Sequence, residues 1–333
     1  MKYTRMGATG TQVSRICMGC MTFGNRDWVP WVLGAEDAGP HFEKAIELGI
    51  NFFDTANIYS KGISEEITGK WLRKLLPNRE EYVLATKVFF PMSEHRNDGG
   101  LSRKHIIAQC DASLARLGVD YIDLYQIHRW DPDTPLEESL EALDSLVRSG
   151  KVRYLGASSM AGWQFAKALF VAGVNGWHQF VTMQNHYNLI YREEEREMIP
   201  LCNDQGVGLL PWSPLARGFL AGTWKKDGGR ETPRAKSDAF AEKMYGDGSD
   251  WDVLDALLAV AKERGESPAR VALAWLLTVP AVTAPIIGAT KIEHLEDLCK
   301  GVDIELSGDE IAALEAPYQP KEILGHQQPG ARD

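Results

Sequence analysis

Four side chains in this sequence have the chemistry to move a proton onto a polar oxygen. They are Asp54 and Tyr59 in "NFFDTANIYS", Lys87 in "ATKV" and His128 in "DLYQIH". A phenol ordinarily has a pKa near 10, too high for ready proton donation at neutral pH. An ammonium beside it favours the phenolate and makes the phenol a better acid. Lys87 supplies that ammonium, and Asp54 holds it in place and keeps it protonated. His128 is suited to hydrogen-bonding a substrate oxygen or relaying the proton. Together they make a tuned general acid aimed at a carbonyl oxygen. The set holds no strong nucleophile and no cluster of metal ligands. The electron pair must therefore come from elsewhere, and a hydride from a nicotinamide cofactor is the natural supplier.

For these groups to meet, several strand ends must converge. Apolar runs read as strands at 14–20, 51–55, 82–88, 121–128, 152–159, 179–184, 207–213 and 283–289. Amphipathic helices alternate with them at 36–50, 64–76, 101–118, 135–150, 162–173 and 192–206. The helix at 36–50 carries Phe42, Ile46 and Ile50 on one stripe. Ser64 is placed to cap the second helix and Gly150 to end the fourth. Helices at 251–265, 267–277, 291–301 and 307–317 complete the pattern.

Eight strands alternating with helices predict a (β/α)₈ barrel of the TIM type, with an N-terminal hairpin and an extra C-terminal helix. A doubly wound open sheet fits less well, because no G-x-G-x-x-G or G-x-x-x-x-G-K-[ST] follows a strand. The whole chain, 1–333, reads as one domain with a polar tail at 317–333. A long loop at 213–250 breaks the rhythm, as lids and binding loops do. In such a barrel the site lies at the C-terminal strand ends. Here those ends are Asp54, Lys87, His128, Ser158, Gln184 and Trp212.

Composition narrows the class. With 36 basic and 46 acidic residues the net charge is −10, against a nucleic-acid binder, which needs a basic face. No apolar run approaches the ~18 residues of a membrane span. The opening "MKYTRMGATG" lacks the apolar core of a secretory signal. Five scattered cysteines read as reduced thiols; Cys17 and Cys20 have C-x-x-C spacing but no second pair for zinc. A cytoplasmic protein acting on small molecules is expected, without a metal.

The ordered set "GCMTFG", "FDTANIYS", "ATKV", "DLYQIH", "YLGASS", "MQNHYNLIYR", "PWSPLARG" and "IIGAT" resembles the aldo-keto reductases over nearly the whole chain. "YLGASSMAGWQFAKAL" and "REEEREMIPLC" resemble a bacterial and fungal long-loop subgroup of that family. The resemblance implies NADP(H)-dependent reduction of aldehydes or ketones, reversible as alcohol oxidation. It makes Tyr59 the general acid, Lys87 and Asp54 its tuning pair, and His128 the orienting group. It also implies that Ser158, Ser159 and Gln184 hold the nicotinamide carboxamide and that Trp212 stacks on the ring. Ser159 stands where asparagine is commoner, and Trp212 where tyrosine or phenylalanine is.

Cys20 and Met21 fall where the first loop of the family approaches the cofactor. Ser213, Pro214, Leu215, Arg217 and Gly218 match its pyrophosphate loop. Gly288 and Thr290 match the ribose-phosphate side, Lys291 and His294 the 2′-phosphate, and Asp297 the adenine. Two rivals stand beside this reading. One is a Schiff-base aldolase or sugar-phosphate isomerase using Lys87 as nucleophile. The other is a non-catalytic nucleotide-binding subunit like the potassium-channel β subunits. Trp28, Trp31, Phe89, Phe90 and Trp130 fall on rim loops, where they line a substrate pocket or form local core.

Overall fold

The structure, a computed structural model, describes residues 1–226, 229 and 238–323. Residues 227–228 and 230–237 of the expected 213–250 loop, and 324–333 of the tail, lie outside the described residues. A hairpin of β1 (Tyr3–Arg5) and β2 (Gln12–Ser14) precedes the main sheet. That sheet has eight parallel strands: β3 (Cys17–Gly19), β4 (Phe52–Asp54), β5 (Val83–Val88), β6 (Ile122–Ile127), β7 (Val152–Ser158), β8 (Phe180–Gln184), β9 (Gly208–Leu209) and β10 (Ile286–Ile287). Their order is β10-β3-β4-β5-β6-β7-β8-β9.

Residues before β10 close the seam against β9. Leu209 N donates to Ala281 O (2.8 Å), Thr283 N to Leu209 O (2.8 Å) and Ile286 N to Pro211 O (2.9 Å). Both edges thus find partners, which is the reason to close a sheet into a barrel. The ladders of β9 and β10 are shorter than the apolar runs 207–213 and 283–289. Pro211 and Pro285 have no N–H to donate, so regular pairing cannot run through either.

Helices α1 (Ala35–Glu47), α2 (Ile63–Leu75), α3 (Arg103–Leu117), α4 (Leu136–Arg148), α5 (Gly162–Val174) and α6 (Met198–Gln205) link successive strands. After β9 come α7 (Ala239–Met244), α8 (Asp250–Arg264) and α9 (Pro268–Thr278). Helices α10 (Ile292–Lys300) and α11 (Gly308–Glu315) follow β10. In α4, Leu140 and Leu143 are buried, Glu137 and Glu138 occupy the first turn, and Arg148 the last. Apolar spacing and the helix dipole therefore favour the same segment. Gly150 takes the left-handed conformation (φ 77°) just beyond it.

Two local expectations are corrected. Ser64 does not cap α2: the helix begins at Ile63, after Gly62 at φ 97°. The Ser64 hydroxyl is buried and donates instead to Cys20 O (2.7 Å). The helix expected at 192–206 is one 3₁₀ turn, Glu193–Glu195, and then the shorter α6. Its carboxylates are drawn to separate partners. Glu193 accepts from Tyr318 Oη (2.7 Å), Glu194 from Asn185 Nδ2 (2.5 Å) and Glu195 from Tyr187 Oη (2.7 Å). Those tertiary bonds override the helical pattern.

The core is layered. Most apolar side chains fill the space between barrel and helices. Inside the barrel, Phe52, Val83, Ala85, Leu124 and Leu210 pack on Met6 and Val13 of the hairpin, which closes one end. The other end is polar.

Candidate active site

Strand side chains alternate, so the residues two beyond Phe52, Ala85 and Leu124 point into the same barrel interior. They are Asp54, Lys87 and Gln126; Lys87 and Gln126 are register partners, and Asp54 pairs with Ala85, two before Lys87. Lys87 is fully buried, and its ammonium donates to Asp54 Oδ2 (2.5 Å), Thr55 O (2.8 Å) and Tyr59 Oη (3.4 Å). Those three contacts use all three donors of the ammonium. Burial lowers the Lys87 pKa, but Asp54 and Tyr59 outweigh it, and the net shift is upward. Asp54 Oδ1 accepts from Gln126 Nε2 (2.9 Å) and Gln184 Nε2 (3.0 Å), so both carboxylate oxygens are used.

Gln126 was legible as the interior residue two before His128, yet nothing in its type marked it. Its reach across the barrel depends on Gly156. A Cβ there would stand 2.5 Å from Thr182 Oγ1 and 2.8 Å from Gln126 Cγ.

Tyr59 sits above the rim on a turn held at several points. Tyr59 N donates to Ala56 O (3.2 Å) and Asn57 N to Lys87 O (3.2 Å). Asn57 Nδ2 donates to Gln109 Oε1 (3.1 Å) on α3. Ser60 and Lys61 take left-handed backbone (φ 50° and 53°). Among the described residues, the other non-glycine positions in that region are Ser159, Ser213, Ala216 and Arg217. All six lie on loops beyond strand ends at this rim, where strain gathers around function.

His128 follows β6 and is buried, its ring edge-on to Tyr59 (5.8 Å) and Phe90 (4.9 Å). Burial, with the charges of Lys87 and Arg129, holds its pKa well below 6.5. The imidazole is therefore neutral at pH 7. That suits it to orient a carbonyl oxygen rather than to supply the proton.

A cavity of about 880 Å³ lies over these groups. Asp54, Tyr59 and His128 line it, while Lys87 lies beneath and does not. Of the rim aromatics, Trp28, Trp31 and Phe90 line it. Trp130 instead borders a small pocket with Leu136 and Leu143, and Phe89 packs on the core. Arg26 and Arg129 also line the cavity, and neither was singled out from the sequence.

The cavity continues past Met21, Ser158, Gln184 and Trp212, along Ser213, Pro214, Leu215, Arg217 and Gly218. It ends at Gly288, Thr290, Lys291, His294 and Asp297. Two expected cofactor contacts do not reach it through their side chains. Cys20 is fully buried, with burial the main cause of a thiol pKa pushed up to about 12. Ser159 lies behind Trp212, accepting from its Nε1 (3.0 Å). The resemblance puts it on the carboxamide; in this structure its hydroxyl holds the indole N–H.

The donor set fits an elongated dinucleotide. Trp212 stacks on His186 with one face (4.4 Å, 15°) and borders the cavity. Gln184 spends its Nε2 on Asp54 and Gln126, and its Oε1 accepts from no described residue, as a carboxamide donor requires. Cationic Arg217 and Lys291 stand along the far half, with Arg217 bonded to Asp238 (2.5 Å). Asp297 already accepts from Ser267 Oγ (2.6 Å) and pairs with Arg270 (2.5 Å). Among the described residues no group of three His, Cys, Asp or Glu forms a metal site, and no helix is long and apolar enough to cross a membrane.

This barrel, with an Asp–Lys–Tyr cluster beneath one long rim cleft, is that of an oxidoreductase, and the chain belongs to the aldo/keto reductase family, whose model matches residues 15–319. It is 45% identical to versiconal hemiacetal acetate reductase of Aspergillus parasiticus, over 97% of this chain and 98% of that one. It is 44% identical to an aldo-keto reductase of Fusarium vanettenii (97% and 93%). A provisionally named aryl-alcohol dehydrogenase of Schizosaccharomyces pombe is 42% identical (97% of each chain).

Proposed function

We propose that the protein reduces aromatic aldehydes and ketones with NADPH, reversibly, with Tyr59 as the proton donor. The observation that carries this is the Lys87 ammonium, buried and locked between Asp54 and the Tyr59 oxygen. When bound, the dinucleotide supplies the hydride. His128, neutral and facing the cavity, orients the carbonyl oxygen toward the phenol. As the proton leaves Tyr59, the fixed charge 3.4 Å away stabilises the oxygen left behind. Asp54 keeps that charge from being lost to burial. Trp28, Trp31 and Phe90 offer aromatic walls, in keeping with the aryl-alcohol name of one relative.

The arrangement disfavours the Schiff-base rival. A nucleophilic lysine needs a neutral amine with a lone pair facing substrate. Lys87 has a raised pKa, three engaged donors and no face on the cavity. Lys291, as a charge partner for a 2′-phosphate with the His294 ring beside it in the lining, favours NADPH over NADH.

The test is Tyr59→Phe, assayed with NADPH or NADH against a panel of aromatic aldehydes. Turnover should fall at least ~100-fold, the usual worth of a general acid. NADPH affinity, followed by tryptophan fluorescence, should stay within about threefold of wild type, since this substitution leaves the far half of the cleft intact. Turnover within tenfold of wild type would sink the assignment. An absence of NADPH oxidation by the unaltered protein on every aldehyde would favour the non-catalytic reading.

A further inference from the structure

Arg129 is the least explained charge in the site. It follows His128, lines the cavity and is mostly withdrawn from water. Nη1 donates to the carbonyl of its own neighbour, His128 (2.6 Å), and the guanidinium stands 5.6 Å from the Phe90 ring centre. Among the described residues no carboxylate pairs with it. Asp131, two positions on, is turned into its own loop, accepting from Leu101 N (2.7 Å) and Thr134 Oγ1 (2.7 Å). Of the other cations, Lys87 is paired with Asp54 and Arg26 with Asp37 at 3.7 Å, and along the far half Arg217 is paired with Asp238, while Lys291 at the far end has no ion-pair partner among the described residues.

A guanidinium carries five donors, and among the described residues Arg129 makes one protein bond. Burying such a group without a counter-ion is costly, and burial does pull its pKa down. The fork that remains matches a carboxylate, which binds it through two parallel bonds. Its position fixes what the anion belongs to. Arg129 lies beside His128 and against the Phe90 ring, close enough to Tyr59 for that phenol to act on its charge, which puts it with the proton-transfer groups.

We propose that Arg129 is a specificity residue that binds a carboxylate on the substrate, so that this enzyme prefers aromatic carbonyl compounds bearing an acidic substituent. The proposal rests on the carbonyl-reductase reading. The aromatic rings hold the substrate plane, His128 and Tyr59 take the carbonyl oxygen, and Arg129 takes the anion at the ring's other side. Neutral aldehydes then bind with the guanidinium fork left without an anion.

The experiment compares 3- and 4-carboxybenzaldehyde with 4-methylbenzaldehyde, using the full chain and NADPH. Wild type should show the higher kcat/KM on at least one carboxylate, mainly through KM. In Arg129→Met the ratio of acidic to neutral kcat/KM should fall about 10- to 100-fold, the worth of charge-assisted hydrogen bonds. Arg129→Lys, which keeps the charge and loses the fork, should lie between. Benzoate should compete with aldehyde in wild type and lose at least tenfold in affinity in Arg129→Met. Circular dichroism and NADPH affinity establish that each variant is folded.

Two outcomes overturn the proposal. Wild type could prefer the neutral aldehyde at every position. Alternatively, both substrates could lose kcat alike in Arg129→Met while the pH profile moves, which would make Arg129 a tuning group for Tyr59. If neutral aldehydes are reduced in either case, the carbonyl-reductase reading stands and this inference alone fails.

Discussion

Asp54→Asn is the sharpest probe of the buried cluster, because an amide cannot replace this carboxylate in either orientation. Asp54 accepts on both oxygens, from the Lys87 ammonium on Oδ2 and from Gln126 and Gln184 on Oδ1. An asparagine facing its oxygen to Lys87 points its NH₂ at two other NH₂ groups. Flipped, it points its NH₂ at the ammonium. Both side chains of the pair are at most 3% exposed, so water cannot repair either mismatch.

Removing one partner of a buried pair costs about 3–5 kcal/mol. With an unfolding entropy of about 0.7 kcal/mol/K for a chain of this length, that predicts a Tm lower by about 4–7 °C. The pH dependence should also change sign. In wild type the Lys87 pKa is raised, so its contribution is complete at pH 7 and is lost only as pH climbs beyond the ordinary 10.5. In the variant, burial without Asp54 lowers that pKa. The unfolded chain then binds more protons near pH 8–10, and stability rises with pH over that range.

Differential scanning calorimetry from pH 7 to 9, with wild type alongside, measures both effects. Adding Lys87→Met should recover more than half of the lost stability, since the stranded charge is gone, while activity stays absent. An Asp54→Asn protein with wild-type Tm at pH 7, or a double variant less stable than the single one, would refute the account.

Gly156→Ala places a Cβ 2.8 Å from Gln126 Cγ and should cost about 1–3 kcal/mol by overpacking. It should also lower kcat by displacing the Gln126 bond to Asp54; wild-type Tm and kcat together would count against it. The depressed His128 pKa predicts that kcat/KM shows no imidazole titration near 6.5. Because the unfolded chain protonates this histidine first, it should make stability fall as pH drops below about 6.5, and His128→Gln should flatten that fall in urea titrations.

Local pattern carried the reading a long way. Strand–helix alternation pointed to the barrel, because period-2 and period-3.6 apolar spacing is written residue by residue. Asp54, Lys87 and His128 stood out because each interrupts or ends an apolar strand with a group that burial penalises. Tyr59 followed from its place on the turn after Asp54.

What the sequence could not carry were relations between distant residues. Ser64 looked like a cap, but a buried carbonyl at Cys20 claimed its hydroxyl. The run 192–206 looked helical, until Tyr318, Asn185 and Tyr187 each drew one glutamate elsewhere. Gln126 and Arg129 are ordinary polar letters on either side of His128. Only closure of the barrel sets one on Asp54 and leaves the other facing the cavity without a counter-ion among the described residues. The order of strands and the types of reactive groups are thus local properties, legible from the chain alone. Which donor meets which acceptor, and which charge is left over, depends on distances across a closed sheet, and tertiary structure alone decides them.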